Sequence, residues 1–124
     1  MSITIDHIIL PAHDNEESAC WLAKIMGFPF LGLDRHFAPL RVNDTFKLVY
    51  YTTQDFTPYH LGFHIGDEEF EGILQRLQEN GITYGNDPRE VTNMRTDHPF
   101  GGKGLFFFDL NNHLLEVMTV VEPR

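Results

Sequence analysis

A single cysteine, Cys20, occurs among 124 residues, so no intrachain disulfide can form. A chain without disulfides suits a reducing compartment, and a cytoplasmic protein is expected. Basic side chains are scarce as well. Nine Lys and Arg stand against 18 Asp and Glu, a formal net charge of −9, and no cationic cluster occurs anywhere along the chain. Phosphate backbones and anionic bilayers are bound by clustered Lys and Arg, so neither nucleic acid nor membrane is expected as a partner. No stretch approaches the ~20 apolar residues that cross a bilayer. The opening Met1-Ser2-Ile3-Thr4-Ile5-Asp6 also lacks the basic segment and apolar run of a secretion signal. What remains is a small-molecule ligand or another protein. With 42% hydrophobic residues, the chain is rich enough in apolar groups to bury a core as one compact domain.

The apolar pattern sets the elements. Ile3 to Pro11 reads as a strand, and Asp14 with Glu17 three residues later has the form of a capping box. Ala19, Leu22, Ala23 and Met26 follow at helical spacing, and Gly27 is the natural stop. Pro39–Val42 and Phe46–Thr53 form a hairpin across Asn43-Asp44, with a short extra strand as an option before it. The first half is therefore β-α-β-β, residues 1 to about 55. From about residue 58 the pattern restarts. His60–Ile65 reads as a strand with Asp67 as the helix cap, and Phe70, Ile73, Leu74 and Leu77 form a helical stripe closed by Asn80-Gly81. A weak strand at Ile82–Tyr84, a polar loop from Gly85 to about Gly104 and a terminal hairpin complete the second half.

The two halves align. His7-Ile8-Ile9-Leu10-Pro11-Ala12-His13-Asp14 lies over His60-Leu61-Gly62-Phe63-His64-Ile65-Gly66-Asp67 without a gap, and the helix-stopping glycines Gly27 and Gly81 follow at nearly the same offset. Such a period in a short chain signals a duplicated module, which puts His7 and His60 at equivalent positions. On the last strand Glu116 stands in an otherwise apolar run, and a carboxylate there needs a cation, a proton or a cleft. Two imidazoles and one carboxylate make a ligand set that suits Fe(II) or Mn(II) first, and also Zn(II), Ni(II) or Co(II), with open positions left for substrate.

Two β-α-β-β-β halves, a His opening each, and the ending Asp109-Leu110-Asn111-Asn112-His113-Leu114-Leu115-Glu116 resemble the vicinal oxygen chelate superfamily, the glyoxalase, bleomycin-resistance and extradiol-dioxygenase proteins, over essentially the whole chain. The resemblance implies an α+β fold of two βαβββ modules forming a cupped mixed sheet, with His7, His60 and Glu116 as metal ligands. It also implies a metal chelated by adjacent oxygens of the substrate, and a homodimer. The family's ending usually carries Pro and Gly where this chain has Leu110 and Asn112; Asn tolerates the left-handed turn conformation, so the hairpin is expected to form.

No single branch of the family is matched. The second carboxylate of glyoxalase I relatives has no counterpart in Phe46–Tyr50. Ile9 stands where fosfomycin-inactivating relatives usually carry Thr or Cys, and Phe106, Phe107 and Phe108 offer no hydroxyl where extradiol enzymes carry Tyr. His64, His98 and Tyr50 (with Tyr51 beside it) are the candidate catalytic residues, and Asp97–Gly104 is a candidate rim of the cleft. Lys103 and Arg95 are candidate contacts for an anionic substrate or solvated loop charges. The expected function is a divalent-metal-dependent enzyme of the glyoxalase or dioxygenase type, a lyase or dioxygenase acting on a small substrate with vicinal oxygens. The alternative is a metal-free drug-binding or resistance protein that uses the same cleft.

Overall fold

A computed structural model describes residues 2–121, so Met1 and residues 122–124 of the expected 1–124 domain lie outside the described residues. The chain divides into two compact units, Met1–Pro58 and Tyr59–Arg124. In the first, strand β1 (His7–Ala12), helix α1 (Asn15–Met26), and strands β2 (Phe37–Arg41) and β3 (Lys47–Thr52) form a mixed sheet of order β1-β3-β2. β1 runs parallel to β3 and β2 antiparallel to it. Helix α1 begins as expected: Asp14 is extended and its Oδ1 accepts from the Glu17 N–H at 2.9 Å. It ends at Gly27, whose φ of 77° lies in the left-handed region, with its N–H donating to the Ala23 carbonyl.

Side-chain alternation sorts this sheet into two faces. Leu10, Ala12, Ala38, Leu40, Leu48 and Tyr50 are all fully buried, and α1 contacts all three strands. Each large apolar side chain buried in this way contributes about 1.5–3 kcal/mol. The opposite face carries His7, Ile9, Phe37, Pro39, Arg41, Lys47, Val49 and Tyr51, in the registers His7–Lys47–Arg41 and Ile9–Val49–Pro39 across the strands.

The second unit repeats the plan with strand β4 (His60–His64), helix α2 (Asp67–Glu79), and strands β5 (Gly104–Phe108) and β6 (Leu114–Met118), in the order β4-β6-β5. Here β4 is parallel to β6 and β5 antiparallel to it. Leu105, Phe107, Leu115 and Val117 are fully buried, as are Phe70 and Leu77 of α2. The sequence placed the α2 cap on Asp67, but the cap is Gly66, whose N–H donates to Glu69 Oε1 at 3.0 Å. Asp67 instead joins Glu68 and Glu69 in the first turn, where carboxylates meet the positive end of the helix dipole.

Two further expectations are modified. The optional early strand is a single bridge between Phe30 and Leu40, and the weak strand at Ile82–Tyr84 does not form; one bridge, Gly85 to Phe106, takes its place. Both ladders stop short for local reasons. Pro29 has no N–H to extend the first, while near the second Ile82 donates back to Leu77 and the Tyr84 carbonyl accepts from Met94. The terminal hairpin forms as expected, with Asn112 in the left-handed region at φ 63°.

Candidate metal centre

The face of the second sheet opposite Leu105, Phe107, Leu115 and Val117 is built around Glu116. It lies on the central strand β6, paired laterally with Gly62 of β4 and Phe106 of β5. Because residues two apart on a strand share a face, His60 and His64 flank Gly62 on the same side. His60 Nε2 lies 3.4 Å from Glu116 Oε1, with the His60 side chain 52% exposed and that of Glu116 12% exposed. The His60 and Phe106 rings stand 6.0 Å apart, tilted by 57°. A nearly buried carboxylate thus meets an imidazole beside an aromatic wall.

The hairpin turn fixes Glu116 in this place. Asp109 is buried and its Oδ1 accepts from the N–H groups of Asn111 and His113, each at 2.9 Å. His113, fully buried, accepts from the Tyr59 N–H at its Nδ1 at 2.8 Å, which ties the residue before β4 to the residue before β6. In the sequence His113 stands out only as one residue of the terminal hairpin ending. Its 54-residue separation from Tyr59 left no local signal.

His7 holds in the first unit the place that His60 holds in the second: each opens the first strand, on the face away from the buried core. Its Nδ1 is 2.8 Å from Asp6 Oδ2, so Nδ1–H donates to the carboxylate and Nε2 is left with the lone pair, the usual outer support of a metal-bound imidazole. The hydrogen bond to His7 holds the Asp6 carboxyl below its ordinary range, helped by Lys47 and Arg41. The first-unit counterpart of Glu116 is Val49, which locates the missing second carboxylate at one position.

The remaining candidates separate. His64 lies in register with Met118, and Met118 with Gly104, so His64 shares the Glu116 face one step along the strands. His98 packs over that row: a Cβ on Gly104 would stand 2.7 Å from His98 Cδ2. His98 Nδ1 accepts from the Phe100 N–H at 3.1 Å, which leaves the proton of the neutral ring on Nε2. Tyr50 does not belong to a cleft. It is fully buried on the α1 side of its sheet, because alternation turns Tyr51 and not Tyr50 toward the His7 face. Lys103 pairs with Glu71 of α2 at 2.5 Å and Arg95 binds Asp97 through two nitrogens, so both are engaged by the protein's own carboxylates. The Asp97–Gly104 segment is closed by a bridge between Asp97 and Lys103 and by left-handed Gly101 and Gly102.

Among the described residues no group of three or more His, Cys, Asp or Glu is gathered tightly enough to hold a metal. The His60–Glu116 pair nevertheless fits an ion. Two donors each about 2.1 Å from a metal, at tetrahedral to octahedral angles, stand about 3.0–3.4 Å apart. Measured against that spacing, the 3.4 Å between His60 Nε2 and Glu116 Oε1 lies within range.

Repeated units of this topology, each with a histidine heading its first strand, define an α+β protein of the glyoxalase/bleomycin-resistance type. The solved structure of the oxidase ChaP-H2 superposes with a TM-score of 0.91 at 33% identity, covering 98% of this chain and 96% of that one. The oxidase ChaP-H1 follows with a TM-score of 0.88 at 28% identity, covering 97% and 98%. The fosfomycin resistance protein FosX from Listeria monocytogenes shares the fold, with a TM-score of 0.72 at 17% identity over 98% of this chain and 94% of that one. No family model matches the sequence, and no curated protein matches it. The chain belongs to the vicinal oxygen chelate superfamily. No described helix is long and apolar enough to cross a membrane.

Proposed function

We propose that the chain is a divalent-metal-dependent enzyme of the oxidase or dioxygenase type, acting as a homodimer in the cytoplasm on a small substrate with vicinal oxygens. His7, His60 and Glu116 hold the ion, Fe(II) or Mn(II) by preference. The observation that carries this reading is the 3.4 Å approach of His60 Nε2 to the nearly buried Glu116 carboxylate. The Asp6–His7 hydrogen bond supports it, and so does the likeness to two proteins named as oxidases. When bound, the ion supplies Lewis-acid polarisation of adjacent substrate oxygens or a site for O₂.

The chain's own residues do the rest. Neutral His98 donates from Nε2 to a substrate oxygen, while His64 accepts a hydroxyl proton at a ring nitrogen. Phe106, in register with Glu116, and Met118, beside Gly62, flank the carboxylate with apolar surface. The test is the metal content of wild-type, His7→Ala, His60→Ala and Glu116→Gln proteins after incubation with Fe(II) or Mn(II), alongside the mass in solution. Expected are near-stoichiometric metal and a dimer for the wild type and loss of metal in each variant without loss of fold. A folded wild type that takes up no metal overturns the reading.

A further inference from the structure

Gly62 is a glycine without a structural reason to be one. It sits in the middle of β4, where a missing side chain weakens a strand, and its φ is not positive, so any residue could adopt its backbone. A Cβ built on it would meet Met118 Cε at 3.5 Å and Glu116 Oε1 at 3.6 Å, both ordinary contacts. Gly104 on the same face is different, since a Cβ there would run into His98 at 2.7 Å. The chain also carries an internal control. In the first unit the equivalent of Gly62 is Ile9, beside Val49 in the same register, so the module accepts a branched side chain at this place. Neither backbone conformation nor packing within the unit calls for glycine at 62.

We propose that Gly62 is a specificity-determining residue: it leaves a notch beside Glu116 that admits the edge of a flat aromatic ring bearing two adjacent oxygens. This rests on the metal-enzyme reading of the same site. The walls of the notch are His60 and His64 along the strand, Glu116 across it and the Met118 methyl group, 3.5 Å from where a Cβ would stand. Beyond Glu116, Phe106 offers a ring face, and Phe108, 42% exposed, extends it. A flat ring reaches between His60 and His64 with its oxygens toward the Glu116 carboxylate. A Cβ or a branched side chain at 62 occupies the place of its edge.

The experiment compares wild-type, Gly62→Ala and Gly62→Val proteins loaded with Mn(II). Bound metal, melting temperature and affinity for two probes are measured: 4-nitrocatechol, a flat ring with adjacent oxygens, and oxalate, adjacent oxygens without a ring. Expected are unchanged metal content, melting temperatures equal to or above that of the wild type, 4-nitrocatechol binding weakened at least tenfold by Ala and further by Val, and unchanged oxalate binding. Undiminished 4-nitrocatechol binding in Gly62→Val overturns the inference. So does an equal loss for both probes, or a loss of metal, because either assigns the glycine to the ion instead of the ring. A wild type that binds no metal overturns the underlying reading and this inference together.

Discussion

Replacing Asp109 with Ala removes the acceptor that two buried N–H groups share. Asn111 and His113 are 3% and 0% exposed, so water cannot take the place of the lost oxygen. A hydrogen bond to a charged acceptor contributes about 1.5–3 kcal/mol, and a buried donor left unpaired costs about 1–3 kcal/mol. Two such donors give a destabilisation of about 3–4 kcal/mol. For a chain of this length 1 kcal/mol lowers the melting temperature by roughly 3–5 °C, so Asp109→Ala should melt about 10–15 °C below the wild type in a thermal scan followed by circular dichroism. Asp109→Asn keeps a neutral oxygen in place and should lose only about 3–5 °C. If Asp109→Ala melts within about 3 °C of the wild type, the turn is held by something else, and the account of how Glu116 is positioned fails.

Other outcomes follow from the same coordinates. Asp6→Asn keeps the contact with His7 but weakens the hold on its tautomer, and metal titration should show affinity reduced about 10–100-fold with little change in melting temperature. Tyr50→Ala opens a cavity in the first core and should cost about 3–5 kcal/mol in chemical denaturation, whereas Tyr51→Ala, on the open face, should cost less than about 1 kcal/mol. Asp97 is held below its ordinary range chiefly by its hydrogen bond with Arg95, with a smaller share from Asn86. Its contribution to the loop is therefore present above the ordinary carboxylate value and lost as pH falls through the lowered one. An NMR titration should place its midpoint below 3.8, and Arg95→Ala should raise it.

Much of this was legible in the residues because the signals are local. Asp14 with Glu17, Gly27, the α2 stripe and the Asn112 turn each announce themselves within a few positions, and the gapless match of His7–Asp14 with His60–Asp67 exposed the duplication. The failures are local as well. Tyr50 and Tyr51 are neighbours in an apolar run, and the inward member of such a pair is fixed only once the register with β1 is known. Asp67 is a good cap in isolation, but Gly66 already has the extended backbone and Glu69 already satisfies its N–H, so the helix starts one residue earlier. The His113–Tyr59 tie and the Asp6–His7 contact depend on where backbone and side-chain atoms come to rest, and residue type alone did not announce either.

The parallel pairing of β4 with β6 bears on the order in which the second unit assembles. The β5–β6 hairpin closes over a five-residue turn, while β4 reaches its place beside β6 only after a loop of about fifty residues has closed, a slower event. His60 heads the late-arriving strand and Glu116 sits on the early one. Their encounter thus falls late in the folding of the second unit, and a full-length chain stalled before it has Glu116 with no imidazole beside it. Uptake of an ion through this pair would then select finished molecules over unfinished ones.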